Sequence, residues 1–361
     1  MWRRLSLVAL LSLTLRSLVL ACPSCMQAET SLSDDLEHAN AVVVADPVQP
    51  GGNRYRVTRV LRGKLEPGRV IVASTSAFRK PVLIATTQSE GLPMWSGQPR
   101  SAESVRVIEF ARAVLKLPSR QAGKTSGAKR LEFFRAYLGD PEKQIADSAY
   151  AELAAAPYPD LRESSRRVGQ ARLKSWLQSD KTPEEYRSLY LTMLSHVPGP
   201  KDAAWLRKEV QREVPTGSTP ALLFAYVQVA GASGLKDLQR GYLGNDLIRR
   251  MMGVQALRVL LAENPSLRQS IFPLLYPMLK DIRLSGALIR DLAIYQDWSC
   301  AERIEQIMGA SDTYGYVRYA ALRYLISCPR PEIRARVQKL RKEPPAWCSS
   351  WPPPFEKGNA P

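Results

Sequence analysis

Val317-Arg318-Tyr319-Ala320-Ala321-Leu322-Arg323-Tyr324-Leu325-Ile326-Ser327-Cys328 is the stretch whose period decides the fold. Val317, Ala321, Tyr324, Leu325 and Cys328 fall at i, i+4, i+7, i+8 and i+11, one buried stripe along an α-helix. The same period appears upstream in Ile145, Ala149 and Leu153, and again in Leu189, Met193, Leu194 and Val197. Four helix starts pair a capping residue with proline: Asp140-Pro141, Thr182-Pro183, Thr219-Pro220 and Asn264-Pro265. Asp, Thr and Asn accept from free amides of a first turn, and proline fits there because its missing N–H would find no partner. Thr182 with Glu185 predicts a capping box.

The four prolines are 183 − 141 = 42, 220 − 183 = 37 and 265 − 220 = 45 residues apart. HEAT-like helical repeats run roughly 40–47 residues. The spacing predicts a helical repeat domain over 130–343, each helix pair burying its stripe on its neighbours. The alternative is an irregular all-α domain with frequent proline starts. A repeat stack offers a long surface, which favours binding over chemistry.

Upstream, Trp2-Arg3-Arg4 supplies a positive start, Leu5 to Leu15 is apolar, and Ala21 precedes Cys22. That is the pattern of a signal peptide over 1–21, too short and too soon broken by Arg16 to read as a spanning helix. The expectation is export to the periplasm, the cell envelope or the medium. Val19-Leu20-Ala21-Cys22 is also similar to a bacterial lipobox, whose cysteine is lipidated. Leu20 stands where a small residue is usual, and ordinary cleavage after Ala21 is the alternative.

The chain carries 51 basic and 34 acidic residues, a net charge of +17. Loss of Arg3, Arg4 and Arg16 leaves 48 − 34 = +14. For an exported chain this balance suits an anionic envelope partner. Arg166, Arg167, Arg249, Arg250, Arg334, Arg336 and Lys339 are scattered, with no aromatic platform interleaved, so no nucleic acid is expected. They also fit plain solvation of outer helix faces.

A short helix is expected from Ser31 to Ala39, then strands at 41–44, 55–61, 69–73 and 82–86. Asp46-Pro47, Pro50-Gly51-Gly52-Asn53 and Pro67-Gly68 mark the turns. Alternation slips at Val60-Leu61, which predicts a bulge or a strand buried on both faces. A helix over 101–117 closes this module, which spans 22–117. Residues 118–129 read as a linker and 344–361 as a Pro-rich tail. The fold class expected is multidomain α+β, a small curled β-module followed by helical repeats.

Ala21-Cys22-Pro23-Ser24-Cys25, Val42-Val43-Val44 and Val60-Leu61-Arg62-Gly63-Lys64-Leu65 resemble the start of a family of exported bacterial proteins without an assigned function. Later matches are Asp140-Pro141, Asp147-Ser148-Ala149-Tyr150-Ala151-Glu152, Gln296-Asp297-Trp298 and Cys328-Pro329. The resemblance covers nearly all of the chain after Ala21. It implies export and the two-part architecture, and brings no activity. The β-module is also similar to the OB-like module of netrins and tissue metalloprotease inhibitors, which begin at a cysteine. This chain departs from them, because no cysteine follows Cys25 until Cys300.

Cys22-Pro23-Ser24-Cys25 has the spacing of a thiol–disulfide pair, but no strand precedes it; a structural or lipidated pair is the plainer reading. Haem attachment needs His after the second cysteine, where Met26 stands. With His38 and His196 the only histidines, no metal site and no cofactor are expected. Gly123-Lys124-Thr125 imitates a phosphate loop, but Pro118 occupies the place of its first glycine. Asp34-Asp35 and Asp297 are the only carboxylates worth naming; Asp297 reads as an N-cap for a helix near Ser299, and Trp298 and Trp205 as packing.

Cys300 begins one amphipathic helix and Cys328 ends the next, with a short turn between. Antiparallel helices bring those ends together, and export favours oxidation, so a Cys300–Cys328 disulfide is expected. The rivals are two buried free thiols, or pairing of either with Cys348. The functional expectation is an exported binding or scaffold protein whose partner is a protein or an anionic envelope surface. It would touch membrane only through a lipid on Cys22. A redox protein using Cys22 and Cys25, or an inhibitor of an exported protease, are the alternatives.

Overall fold

The computed structural model describes residues 31–73, 80–86, 99–119, 126–211, 214–343 and 347. The expected signal peptide, the Cys22/Cys25 pair, Cys348 and nearly all of the tail lie outside the described residues. The protein is α+β: sixteen α-helices and one five-stranded antiparallel sheet among the described residues. It divides into two compact units, one through Leu235 and one from Lys236. The division falls within the helix Ala232–Tyr242, inside the span expected as a single repeat domain.

In the first unit, helix α1 (Leu32–His38) opens on a capping box between Ser31 and Asp34. Strands β1 (Ala41–Pro47), β2 (Arg54–Arg62), β3 (Val70–Val72), β4 (Val82–Thr86) and β5 (Pro99–Ser101) follow, in the sheet order β3-β2-β1-β4-β5. Ala41, Val43, Ala45, Tyr55, Val57, Ile71, Val82 and Ile84 form a core on one face. Val42 and Leu83 point the other way and are also buried, while α1 packs on β4 and on helix α2 (Val105–Val114). The register jumps from Val42↔Arg62 to Val43↔Val60, so Leu61 is the extra residue of a bulge, at the place where alternation slips. A second jump leaves out Thr58, whose hydroxyl donates to the Val44 carbonyl at 3.1 Å. Two bulges in one strand increase the sheet's twist and bend. The fifth strand has only three residues and no alternation, and the sequence reading did not find it.

Helices α3 (Ser126–Arg135), α4 (Lys143–Ala154), α5 (Tyr158–Val168), α6 (Gln170–Leu177), α7 (Glu184–Ser195), α8 (Asp202–Val210) and α9 (Thr219–Ala230) complete this unit, with the start of α10 (Ala232–Tyr242). Helix α3 takes in the end of the expected linker. The helix starts fall near the four prolines, but the capping chemistry differs from the expectation. Pro183, with no side-chain bond, is the N-cap of α7. The Thr182 hydroxyl donates backwards to the Trp176 carbonyl at 2.7 Å, so the expected box with Glu185 does not form. Asp140 accepts from the Glu142 amide two residues on, ahead of the helix rather than on it.

The second unit holds the rest of α10 with α11 (Leu247–Glu263), α12 (Arg268–Leu275), α13 (Ile282–Ile294), α14 (Ala301–Gly309), α15 (Gly315–Ser327) and α16 (Pro331–Lys342). At Asn264-Pro265 a 3-10 turn precedes α12. Helix α15 packs on both α13 and α14. Its whole expected stripe is buried: Val317, Ala321, Tyr324, Leu325 and Cys328 are each at most 2% exposed. Among the described residues no helix is long and apolar enough to cross a membrane.

Candidate functional site

Residues 60–63 and residues 147–152 each have a structural job. In Val60-Leu61-Arg62-Gly63, Leu61 makes the bulge, and the Arg62 guanidinium donates to the Leu36 and Ala39 carbonyls, both at 3.0 Å. Gly63 has φ +96°, and a Cβ there would stand 2.9 Å from the Ala41 Cβ, so only glycine fits. In Asp147-Ser148-Ala149-Tyr150-Ala151-Glu152, the Ser148 hydroxyl accepts from the Ser33 amide at 3.2 Å, and Asp147 accepts from Tyr186. Tyr150 stacks on Tyr186 with centroids 5.0 Å apart. Glu152 takes a two-pronged bond from Arg130, at 2.5 and 2.9 Å. Arg130 also lies 3.1 Å from Glu37 and donates to the Pro118 carbonyl, which ties α1, α3 and α4 together. The role of Arg130 escapes a sequence reading, because its partners are far away in the chain.

The second unit gathers Asp297, Cys300 and Cys328 around Tyr324, which the sequence placed only in a buried stripe, and adds Tyr276, which it did not single out. Leu292 C=O and the Asp297 amide are 2.9 Å apart, and Gln296 has φ +56°, an uncommon backbone for a side-chain residue. This turn aims the Asp297 carboxylate two ways. One oxygen accepts from Tyr276 at 2.6 Å, and the other from the Ser299 amide at 3.0 Å. Asp297 is thus bonded just ahead of α14, whose N-cap is Cys300. Tyr324 donates to the Asp297 carbonyl at 2.8 Å, and its ring lies 4.9 Å from that of Trp298.

The electrostatics of this cluster oppose nucleophilic chemistry. Burial, then Asp297, pushes the Cys300 thiol up to about 11. Burial, then the bond to Asp297, pushes Tyr276 up to about 12. Tyr324 is held well above its ordinary value by burial, then by Asp297 and the two thiols. A reactive thiol needs the opposite shift. Cys300 and Cys328 are buried free thiols, so the expected disulfide is not formed. Cys328 is the C-cap of α15, one turn beyond Tyr324, and the Tyr324 side chain fills this end of the helix pair. Both cysteines act there as small apolar side chains.

The surface is more distinctive than the interior. Helix α16 buries only Ile333 and Val337. It carries Arg334, Arg336, Lys339, Arg341 and Lys342 against Glu332, 5 − 1 = +4 over one helix. Arg336 reaches Glu305 at 2.8 Å, while Arg334, Lys339, Arg341 and Lys342 are exposed. Lys339, Arg341 and Lys342 occupy its last turn, where cations complement the helix dipole. Asp34 accepts from the amide of Ser31, the N-cap of α1, and Asp35 pairs with Arg100 at 2.5 Å. Trp205 lies under Lys174 at 5.8 Å. Among the described residues no group of three or more His, Cys, Asp or Glu could hold a metal ion. No family model, curated protein or solved structure matches the chain.

Proposed function

We propose that the protein is an exported envelope protein that acts by binding, and that its helical units are HEAT-like repeats serving as the binding scaffold. The observation that carries this reading is the outer face of α16, where four exposed cations share one helix that buries only two side chains. An anionic envelope surface, the membrane headgroups included, is the partner such a face suits, a contact beyond the lipid on Cys22 that the sequence alone suggested. The cluster around Asp297 holds its thiol and phenols protonated, so that cluster supplies no activated nucleophile. For the β-module we propose an OB-like curl: the order β3-β2-β1-β4-β5 leaves β3 and β5 as edges, and the two bulges in β2 roll the sheet towards closure.

Co-sedimentation with phosphatidylglycerol vesicles, against phosphatidylcholine vesicles, tests the reading. A basic residue near an anionic surface contributes about 1 kcal/mol. Reversing Arg334, Lys339 and Lys342 to Glu should therefore weaken binding by roughly 100-fold or more. Equal binding to both vesicle types, or no change in the triple variant, would reject α16 as the contact. The rival redox reading rests on Cys22 and Cys25 alone, and a low-pKa thiol reporting from those two positions would favour it.

A further inference from the structure

Tyr314 and Tyr316, at the turn into α15, are 57% and 53% exposed, and their rings stack 5.9 Å apart with 14° between planes. Two large aromatic faces left in water forgo a sizeable burial. The pair is not loose. Tyr316 donates to the Ile282 carbonyl at 3.1 Å, and its ring lies so close to Gly286 that a Cβ there would be 2.8 Å away. The result is a fixed aromatic step on the first turns of α13 and α15. Arg318 follows Tyr314 by one helical turn, on the same face. Its guanidinium donates to the Ala310 and Ser311 carbonyls at 2.7 and 3.2 Å, and lies 5.6 Å from the Trp347 ring.

We propose that the segment Trp351-Pro352-Pro353-Pro354-Phe355, which lies outside the described residues, seats on the Tyr314–Tyr316 step of its own chain. Three observations select this occupant. The Trp347 ring lies 5.6 Å from the guanidinium of Arg318, a residue one helical turn from Tyr314. Trp351 follows four residues later, and four residues span at most about 14 Å when extended, against about 6 Å for the turn from Arg318 back to Tyr314. The chemistry matches as well. A run of prolines flanked by aromatics is stiff and loses little entropy on docking, and aromatic faces are the surface such segments recognise.

The test uses the full chain with Tyr314→p-benzoylphenylalanine, irradiated and then mapped by peptide mass. The expected result is a crosslink from position 314 to a peptide within 348–361, in a species of monomer mass. In a companion chain with Trp351→Ala and Phe355→Ala, that crosslink should fall at least tenfold. A crosslink of dimer mass would assign the step to a second copy and overturn the proposal. So would a crosslink to the tail that the two alanines leave unchanged, or none to the tail at all.

Discussion

The Tyr324 hydroxyl donates to the Asp297 carbonyl at 2.8 Å, tying the last turns of α15 to the turn ahead of α14, 27 residues earlier. The bond closes the end of the helix pair where both cysteines lie, and it does so without a disulfide. Tyr324→Phe should cost about 1 kcal/mol, the net worth of one hydrogen bond. Asp297→Ala should cost more, about 1–3 kcal/mol, since the Tyr276 hydroxyl and the Ser299 amide lose their acceptor. Urea unfolding followed by circular dichroism measures both; equal losses would contradict the geometry.

With Cys22, Cys25 and Cys348 replaced by Ser, only Cys300 and Cys328 remain as thiols. Burial and the raised Cys300 value leave almost no accessible thiolate at pH 8. Ellman's reagent should find no reactive thiol in the native variant within minutes, and two after denaturation. Absence of thiol in the denatured sample would show that the two are bridged.

The helices of the second unit were legible because burial there follows period: Val317 through Cys328 form the stripe that the spacing predicts. The Val60-Leu61 bulge was legible for the same reason, as a break in alternation. Capping was not. Whether a hydroxyl caps a helix depends on loop geometry, and Thr182 turns to Trp176 instead. The Tyr276–Asp297 bond and the Arg130–Glu152 pair join residues far apart in sequence, and no local pattern announces them. The division near Leu235 falls inside a helix, where composition gives no sign.

Arg130 holds two carboxylates at a site where its own side chain is 3% exposed and that of Glu152 2%. Arg130→Met leaves both carboxylates buried without their cation, which should cost about 3–5 kcal/mol. Adding Glu152→Met should restore part of that loss, because an apolar pair removes one of the stranded charges. Chemical unfolding of the single and double variants decides it. A double variant less stable than Arg130→Met would count against the buried charge as the cause.

His196 gives the acid response its direction. Burial, then Arg162 and Arg166, lowers its value to about 4, against 6.5 for an unperturbed imidazole. The unfolded chain therefore binds a proton that the folded chain refuses between those values. Stability from this group is complete above pH 6.5 and is lost as pH falls towards 4. Asp281, held at about 2 by its bond with Arg283, loses its contribution only at lower pH, below its ordinary value of 3.8. The urea midpoint should fall between pH 7 and pH 4.5, and fall less in His196→Gln. An equal fall in both would remove His196 from the account.

Fractionation of the native host, with mass analysis of the protein's N-terminus, tests whether the protein is exported and held at an anionic envelope surface. The expected result is a mature chain beginning at Cys22, recovered with the envelope at low ionic strength and released at about 1 M salt, where screening shrinks to ~3 Å. A diacylglycerol mass on Cys22 would add a lipid anchor to that contact. An intact Met1 in the cytoplasmic fraction, or an exported chain that stays in solution at low salt, would contradict it.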